Sequence, residues 1–261
     1  MLRFIKHVFT QTVFSSPKHS LKGSSALVVI HSYGLTTSMM QRIAAKSNHP
    51  ATVFLNQNDI TKPVCKIRWF NKQSEIKRCG HGTLAAAKSL TSHFNYCPRE
   101  FISPSNERFK VKIKRQDAYL KLKAIGSYKT HYENELNAVC SLPIKSTYSS
   151  ATLNGYTIAL FNEKNDLKHL QVDLKQLAKT HGNAVIALNI VNKCNKTGTA
   201  YFRYFAPQFG VNEDEATGSA VSVIAPILFR LNGLNEVKLV QQSSNGALLN
   251  YIYNNGHVVL N

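Results

Sequence analysis

Three acidic residues stand directly before a small-residue segment in the second half of the chain. The run reads Gly210-Val-Asn-Glu-Asp-Glu-Ala-Thr-Gly-Ser-Ala220. Its end has the pattern of a helix start, where the backbone N–H groups of Thr217, Gly218 and Ser219 would point outward and could hold a carboxylate or a phosphate. Asp214 stands close enough to act as a general acid or base. Ordinary capping of a helix by acidic residues and serine gives the same spacing, so both interpretations stay open here.

A second segment with similar possibilities lies in the first half, in Cys79-Gly-His-Gly-Thr83. His81 stands between Gly80 and Gly82 at a predicted helix start, where glycines let the chain approach a ligand closely. An imidazole there could serve as a general acid or base, or as a hydrogen-bond donor. A purely structural histidine is the alternative. Two such helix starts meeting in one cleft would form an anion pocket with ionisable groups.

The two segments belong to a diverged repeat. In the first copy, Arg68-Trp-Phe-Asn71 precedes Cys79 to Ala87, and in the second, Arg203-Tyr-Phe-Ala206 precedes Ala216 to Val223. Each copy reads as a strand, a loop, a glycine-containing turn and a small-residue helix. A repeated supersecondary unit predicts two similar halves that face each other, although a chance match of so few residues is the alternative.

The elements that must position these residues follow from the apolar periodicity. Helices are predicted at 37–47, 83–91, 131–140, 165–181 and 219–231. Strands are predicted at 2–14, 25–30, 51–55, 65–70, 156–161, 184–191, 199–206, 237–241 and 249–253. We expect Pro226 to kink or end the last helix early. Strands outnumber helices and the alternation is mostly of the antiparallel type, which predicts an α+β fold.

The charge of the chain is strongly positive, because 32 Lys and Arg residues face 14 Asp and Glu residues among 261. The clearest basic cluster is a predicted hairpin over 108–123, with its turn at 115–118. The lysines of this cluster alternate with apolar residues; they are Lys110, Lys112, Lys114, Lys121 and Lys123. A solvated outer face explains them best, and nucleic acid is an unlikely partner because no aromatic residue interleaves with the lysines.

Cysteine and histidine usage excludes several classes of protein. The five cysteines are odd in number and lack CxxC spacing, and the ten histidines form no HExxH pair. A disulfide framework and a zinc site are therefore disfavoured, and a reducing, cytoplasmic location fits. No run of about 18 apolar residues is present, so we expect no membrane span. Residues 1–20 could be a transit peptide or a strand, but they do not have the pattern of a secretory signal.

The motifs resemble those of a known family. Arg68-Trp-Phe, Glu75 and the segment from Cys79 to Ala87 look like the first signature of the PhzF-like isomerases of phenazine biosynthesis. Phe205-Ala-Pro, followed by Gly210 to Ala220, looks like the second. The order and spacing match.

The resemblance implies a diaminopimelate-epimerase-like fold. This fold has two pseudo-symmetric lobes, each a mostly antiparallel, β-barrel-like sheet around a central helix. The lobes would be residues 1–125 and 126–261, with the last strand able to return to the first lobe. The family's chemistry is cofactor-free proton transfer at carbon in a small carboxylate substrate, in the cleft between the lobes. No metal is used, and homodimers are common.

The resemblance also assigns roles to residues. It implies that Asp214 and His81 are catalytic, and that substrate is bound by a second set, Gly80, Gly218 and Ser219. The chain departs from the family at Asn48-His-Pro-Ala51, because Ala51 replaces the family's proton-shuttling Glu. His49 could substitute as a base; alternatively, the chain is a catalytically impaired homologue that binds small acids. The place in the second half that corresponds to Cys79 holds no cysteine, since none follows Cys194, and this excludes a two-thiol epimerase.

Overall fold

The computed structural model describes residues 2–115, 117–151 and 155–261. The chain divides into two compact units. The first contains the residues up to 14 together with 24–122 and 261, and the second contains 15–23 and 123–260.

The first unit is a mixed sheet with two helices. Its strands are β1 (Ile5–Val13), β2 (Ser24–His31), β3 (Ala51–Asn56), β4 (Val64–Phe70), β5 (Glu75–Ile76), β6 (Glu100–Ile102), β7 (Arg108–Lys114) and β8 (Asp117–Lys123). Its helices are α1 (Thr37–Lys46) and α2 (Gly80–Phe94), with a short 3-10 turn at Leu2–Phe4. The pairings are β1–β2 antiparallel, β2–β3 parallel, β3–β4 antiparallel, β4–β6 parallel, and β6–β7 and β7–β8 antiparallel, while β5 pairs with β4.

The second unit repeats this series of pairings. Its strands are β9 (Ser127–Thr130), β10 (Ile144–Ser150), β11 (Tyr156–Phe161), β12 (Ala184–Cys194), β13 (Thr197–Phe205), β14 (Glu236–Gln241), β15 (Ala247–Asn254) and β16 (His257–Leu260). Its helices are α3 (Glu133–Asn137), α4 (Leu174–Thr180) and α5 (Val221–Asn232). Strand β9 pairs antiparallel with β10. From β10 to β16 the pairings run antiparallel, parallel, antiparallel, parallel, antiparallel and antiparallel.

The predicted α+β class is confirmed. The two sequence repeats occupy the same step of each unit, since β4 leads into α2 and β13 leads into α5. In each unit the described strands form an open series of pairings. The pseudo-symmetric, barrel-like arrangement therefore stays a prediction.

Helix α2 is buried along most of its length. Ala85, Ala86 and Ala87 are fully inaccessible, and the helix packs on β1, β2, β3 and β7. The small side chains allow this close approach on several sides, as expected for core packing. The helix begins before the predicted residue 83 and ends at Asn95, whose positive φ of 53° closes the last turn.

Helix α5 continues past Pro226 to Asn232 and ends at Gly233, which has a φ of 70°. Of the two outcomes expected at Pro226, an early end of the helix is wrong, and a kink stays a prediction. Proline has no N–H for the carbonyl of Ser222, four residues before it. The backbone N–H of Ile125 donates to that carbonyl instead, at 2.8 Å. The lost helical hydrogen bond is thus replaced by a tertiary one.

The single helix predicted over 165–181 is also wrong. The segment holds a 3-10 turn at Leu167–His169 and then α4. Two aspartates explain the division, because each caps its own turn: Asp166 accepts from the N–H of Lys168, and Asp173 accepts from that of Gln176, both at 3.0 Å. The helix predicted over 131–140 is shorter in the structure, where it is α3.

The lysine-rich hairpin is confirmed as β7 and β8, although Gln116 of its predicted turn lies outside the described residues. Lys112 lies opposite Tyr119, and the Nζ of Lys114 lies 5.9 Å from the centre of that ring. The statement that no aromatic residue interleaves with this face is therefore wrong. Glu100 pairs with Arg108 at 2.6 Å, which neutralises part of the charge. The exclusion of nucleic acid stays a prediction.

In each unit, the arginine of the Arg-aromatic-Phe strand forms a bidentate ion pair with a glutamate of the motif that follows. In the first unit, Nε and Nη2 of Arg68 each lie 2.7 Å from an oxygen of Glu75. In the second, the same two atoms of Arg203 lie 2.7 Å from the oxygens of Glu213. Both guanidinium groups also lie over a phenylalanine ring two residues on, at 5.1 Å and 4.9 Å. This geometry requires arginine, because lysine has no planar fork.

Segment 15–23 is fastened to the loop before β15. The backbone N–H groups of Lys22 and Gly23 donate to the carbonyls of Asn245 and Gly246, both at 2.8 Å. Gly246 has a φ of 64°, and a Cβ added there would lie 2.5 Å from Cδ2 of Leu21. The positive φ favours glycine at 246, and a Cβ there would also force the end of the Leu21 side chain to move.

We expect Arg203→Lys to lower the free energy of unfolding by about 1–3 kcal/mol, because the half-buried Glu213 loses a matched partner. Nη1 of Arg203 also donates to the carbonyls of Leu167 and Leu170, and these bonds would be lost. Denaturant unfolding measures the change. The control is Arg108→Lys in an exposed pair, for which we expect less than about 1 kcal/mol. Equal losses in the two variants would contradict the structural role given to the buried pair.

We expect Gly246→Ala to destabilise the protein more than Gly256→Ala. Both glycines have positive φ, so both variants incur a backbone cost of roughly 1–2 kcal/mol. A Cβ at Gly256 meets open space, whereas one at Gly246 meets Leu21. Thermal unfolding of both variants, and of Gly246→Ala combined with Leu21→Ala, measures the contact. The contact is disproved if Gly246→Ala costs no more than its control.

Candidate active-site residues

The first motif forms the beginning of α2, after Cys79 as the N-cap residue. Gly80 and Gly82 are both buried. A Cβ added to Gly82 would lie 2.8 Å from Cδ1 of the fully buried Trp69 and 3.0 Å from the Cys79 sulfur. Gly82 is therefore needed for packing in the core. The hydroxyl of Thr83 donates to the Cys79 carbonyl at 2.7 Å, which closes the first turn.

His81 lies half-buried at this helix start. Its Nδ1 lies 3.5 Å from the Cys79 sulfur and its Nε2 lies 4.0 Å from it. The thiol belongs to a side chain that is 5% exposed. The imidazole can exchange protons with a group that approaches its ring, while the buried thiol fixes one side of the ring.

His49 lies between two hydroxyl groups. Its Nδ1 is 2.8 Å from Oγ of Ser25, and its Nε2 is 3.3 Å from Oγ1 of Thr10. Its backbone N–H donates to Oγ of Ser47 at 3.1 Å. Both ring nitrogens therefore have neighbours that fix the ring. Ala51, two residues on, is fully buried as the first residue of β3.

The second motif is a turn between β13 and α5, and Asp214 lies half-buried within it. The backbone N–H of Asp214 donates to the carbonyl of Tyr204 at 3.1 Å. Its Oδ2 accepts a hydrogen bond from the Thr217 hydroxyl at 2.6 Å. The carboxylate is thus anchored through one oxygen, an arrangement that orients a general acid or base.

Gln241 is the residue that sequence reasoning missed. Its side chain is fully buried, and its amide donates to the carbonyl of Asp214, while its Oε1 accepts from the N–H of Thr217 at 2.6 Å. A signal was present, since Gln241 continues the buried alternation of Val237 and Leu239 on β14. A carboxamide on the buried face of a strand predicts a buried polar partner.

Of the three backbone amides predicted to hold an anion, one is engaged within the protein. The Thr217 N–H is turned to Gln241 and is not available to a ligand, so its expected outward direction is wrong. Gly218 and Ser219 form the first turn of a 3-10 segment that leads into α5, where amides have no acceptor within the helix. Gly218 is buried and Ser219 is half-buried. The role of these two positions in holding a carboxylate stays a prediction.

Burial raises the pKa of Tyr204, and the neighbouring Tyr156 and Asp214 add to this effect. The phenol is therefore neutral at physiological pH and can only exchange hydrogen bonds. Burial likewise raises the pKa of Cys65 and Cys97 to about 12, and that of Cys140 to about 11. These three thiols are protonated and poor nucleophiles.

Each set of site residues lies within its own unit. The second unit brings together Asp214, Thr217, Gly218 and Ser219, and the first brings together Gly80 and His81. Across residues 2–115, 117–151 and 155–261, no three His, Cys, Asp or Glu side chains gather in a way that could hold a metal ion. No helix in this described part of the chain is long and apolar enough to cross a membrane.

Known proteins resemble this chain over most of its length. The family model described as phenazine biosynthesis-like protein (PhzC–PhzF) matches residues 12–249. An uncharacterized isomerase of Pseudomonas aeruginosa is 29% identical over 234 residues, which cover 88% of this chain and 83% of the relative. The crystal structure of a PhzF-family phenazine biosynthesis protein from Enterococcus faecalis superposes with a TM-score of 0.82 at 22% identity. That superposition covers 98% of this chain and 93% of the other.

A predicted epimerase from Pseudomonas aeruginosa has a TM-score of 0.64 at 19% identity, covering 98% of this chain and 93% of its own. The likeness to both structures shows a shared fold. The family model covers far more than half of the chain and spans both motifs. The chain therefore belongs to the phenazine biosynthesis-like (PhzC–PhzF) family.

Proposed function

We propose that this protein is an isomerase that moves a proton between carbon atoms of a small carboxylate, with Asp214 as the main acid and base and without a cofactor. The observation that carries the proposal is the anchored carboxylate of Asp214. Thr217 holds Oδ2 at 2.6 Å, and Gln241 fixes the Asp214 peptide. The other oxygen, Oδ1, is assigned to proton transfer.

The substrate carboxylate is assigned to the first turn after Thr217. The amides of Gly218 and Ser219 lie at the positive end of the helical segment that continues into α5. The half-buried Ser219 hydroxyl adds a donor. From the first motif, Gly80 is assigned to substrate binding and His81 to catalysis.

The comparisons support the reaction class. The relative named as an isomerase and the fold neighbour named as a predicted epimerase both point to rearrangement within one molecule. General acid–base groups at fixed positions suffice for such a reaction, because no electrons leave the substrate. The assembly proposed for this protein is a homodimer.

One observation favours a second candidate, a homologue that binds small acids without turnover. Ala51 stands where the resemblance places the family's catalytic Glu, and its methyl group is fully buried. His49, the other candidate base, has hydroxyl neighbours at both ring nitrogens. In this case the anion-holding turn is retained and the proton path is broken.

The substrate class is identified first by thermal stabilisation, with a panel of small aromatic, hydroxy and amino carboxylates at fixed salt. A ligand at about 100 times its dissociation constant adds about 2.7 kcal/mol to the stability. We expect a stabilising carboxylate to lose its effect in Ser219→Ala. A hit that persists in this variant places the carboxylate elsewhere.

We expect Asp214→Asn to lower the rate of solvent deuterium uptake into the stabilising carboxylate by 10²–10⁴-fold, the usual contribution of a general acid or base. Asparagine has the same shape and can still accept from Thr217, so folding is retained. Asp117→Asn on β8 is the matched control and leaves the rate unchanged. Equal rates in wild type and Asp214→Asn would refute the assigned role.

Ala51→Glu separates the two candidates. If the wild type lacks turnover because it lacks the base, deuterium uptake appears in Ala51→Glu and not in Ala51→Gln, which has the same size without the charge. If Asp214 is sufficient, the wild type already shows uptake and Ala51→Gln slows it by crowding. Circular dichroism of both variants checks that the buried position tolerates the longer side chain.

A further inference from the structure

The second unit contains a cavity of about 710 Å³ that shares no lining residue with the two motifs. It is lined by side chains from β10, β11 and β12, the segment after β11, and the last turn of α5. Its volume lies within the range of about 300–1,000 Å³ that small-molecule sites occupy.

The rim of the cavity is cationic. Lys145, Lys164 and Lys193 line it and are exposed, while Glu163 is the acidic side chain among the lining residues. The Nζ of Lys193 lies 3.4 Å from Oε1 of Glu163, so one lysine is neutralised. Two positive charges remain, which favours an anion at the mouth.

The wall of the cavity is apolar. Tyr148 and Leu160 come from adjacent strands, Ile190 from β12, and Leu231 from the end of α5. Leu231 is 41% exposed and is therefore accessible from the cavity. This wall suits the carbon body of a ligand.

Two carboxamide oxygens on the lining have no hydrogen-bond partner in the part of the chain that the structure describes. They are Oδ1 of Asn189, in a side chain 2% exposed, and Oδ1 of Asn232. The Asn189 amide donates to the carbonyl of Asn165, which fixes Oδ1 as the unpaired atom. Buried acceptors in proteins are rarely left without a protein or water donor, so these two oxygens can accept from water or from a donor on a molecule bound in the cavity.

We propose that this cavity is a second binding site, specific for a small organic anion whose apolar body carries a hydroxyl or amino donor. The anionic group meets Lys145 and Lys164 at the rim, the body lies on the apolar wall, and the donor reaches Asn189. The site is independent of the proposed reaction, since it contains neither motif.

The test uses 6-hydroxy-2-naphthoate, a fluorescent anion with a hydroxyl group at the far end of its ring system. Two related probes remove one feature each: 2-naphthoate lacks the hydroxyl and 2-naphthol lacks the carboxylate. Titration at fixed salt should give saturable binding of the hydroxynaphthoate, about tenfold tighter than 2-naphthoate, which corresponds to one net hydrogen bond. Equal affinity for all three probes would overturn the proposal.

Three variants locate the binding. The double charge reversal Lys145→Glu/Lys164→Glu should weaken binding of the hydroxynaphthoate at least tenfold. The control, Lys175→Glu/Lys179→Glu on α4, makes the same change in charge away from the cavity and leaves binding unchanged. Asn189→Leu should abolish the preference for the hydroxylated probe. If Asn189→Leu fails to fold, the lysine pairs still decide the question.

Asp214→Asn separates this proposal from the proposed function. Unchanged hydroxynaphthoate binding in that variant, with loss in the rim variant, supports a second site. Loss in Asp214→Asn with retention in Lys145→Glu/Lys164→Glu places the probe at the motif and overturns the cavity proposal. Loss in neither variant overturns it as well.

Discussion

The turn that carries Asp214 must leave a buried strand and reach a helix start with its peptide groups hidden from water. An unpaired buried peptide group costs about as much as a lost hydrogen bond, so the turn needs a dedicated partner. Gln241 supplies one from β14, with its amide on the carbonyl of Asp214 and its carbonyl oxygen on the amide of Thr217. A single carboxamide thus fixes both ends of the segment. The position of the acid depends on this side chain together with the Tyr204 carbonyl, which accepts from the N–H of Asp214.

The ion pair of Arg203 and Glu213 acts one residue before that turn. It fixes where the chain leaves β13, while Gln241 fixes where it enters the helix. The first unit has the same ion pair between Arg68 and Glu75. In both units, therefore, the arginine of the strand and the later glutamate together fix the path of the chain after the strand. At the start of α2 in the first unit, the thiol of Cys79 contacts the imidazole of His81.

Local pattern determined much of the fold, and long-range partners explain the failures. Short apolar runs predicted β2, β4 and β11 to within a residue, because these strands are largely buried. Helix α5 continues past Pro226 because the carbonyl of Ser222, which has no helical donor, accepts from the N–H of Ile125, about a hundred residues earlier in the chain. Gln241 is likewise remote from Asp214 in sequence. The candidate acid could be named from its motif, whereas the groups that hold it could not, since no local spacing relates them.

The route of the chain through segment 15–23 bears on synthesis at the ribosome. The strands on either side of it belong to the first unit, yet Lys22 and Gly23 bond to Asn245 and Gly246 in the second. At about 5–20 residues per second, the ribosome needs roughly 10–45 s to make the intervening chain. The nascent first unit must therefore carry an unfinished loop with unpaired backbone donors for that time. Because segment 15–23 belongs to the second unit and both flanking stretches belong to the first, one cut in the chain does not separate two complete units.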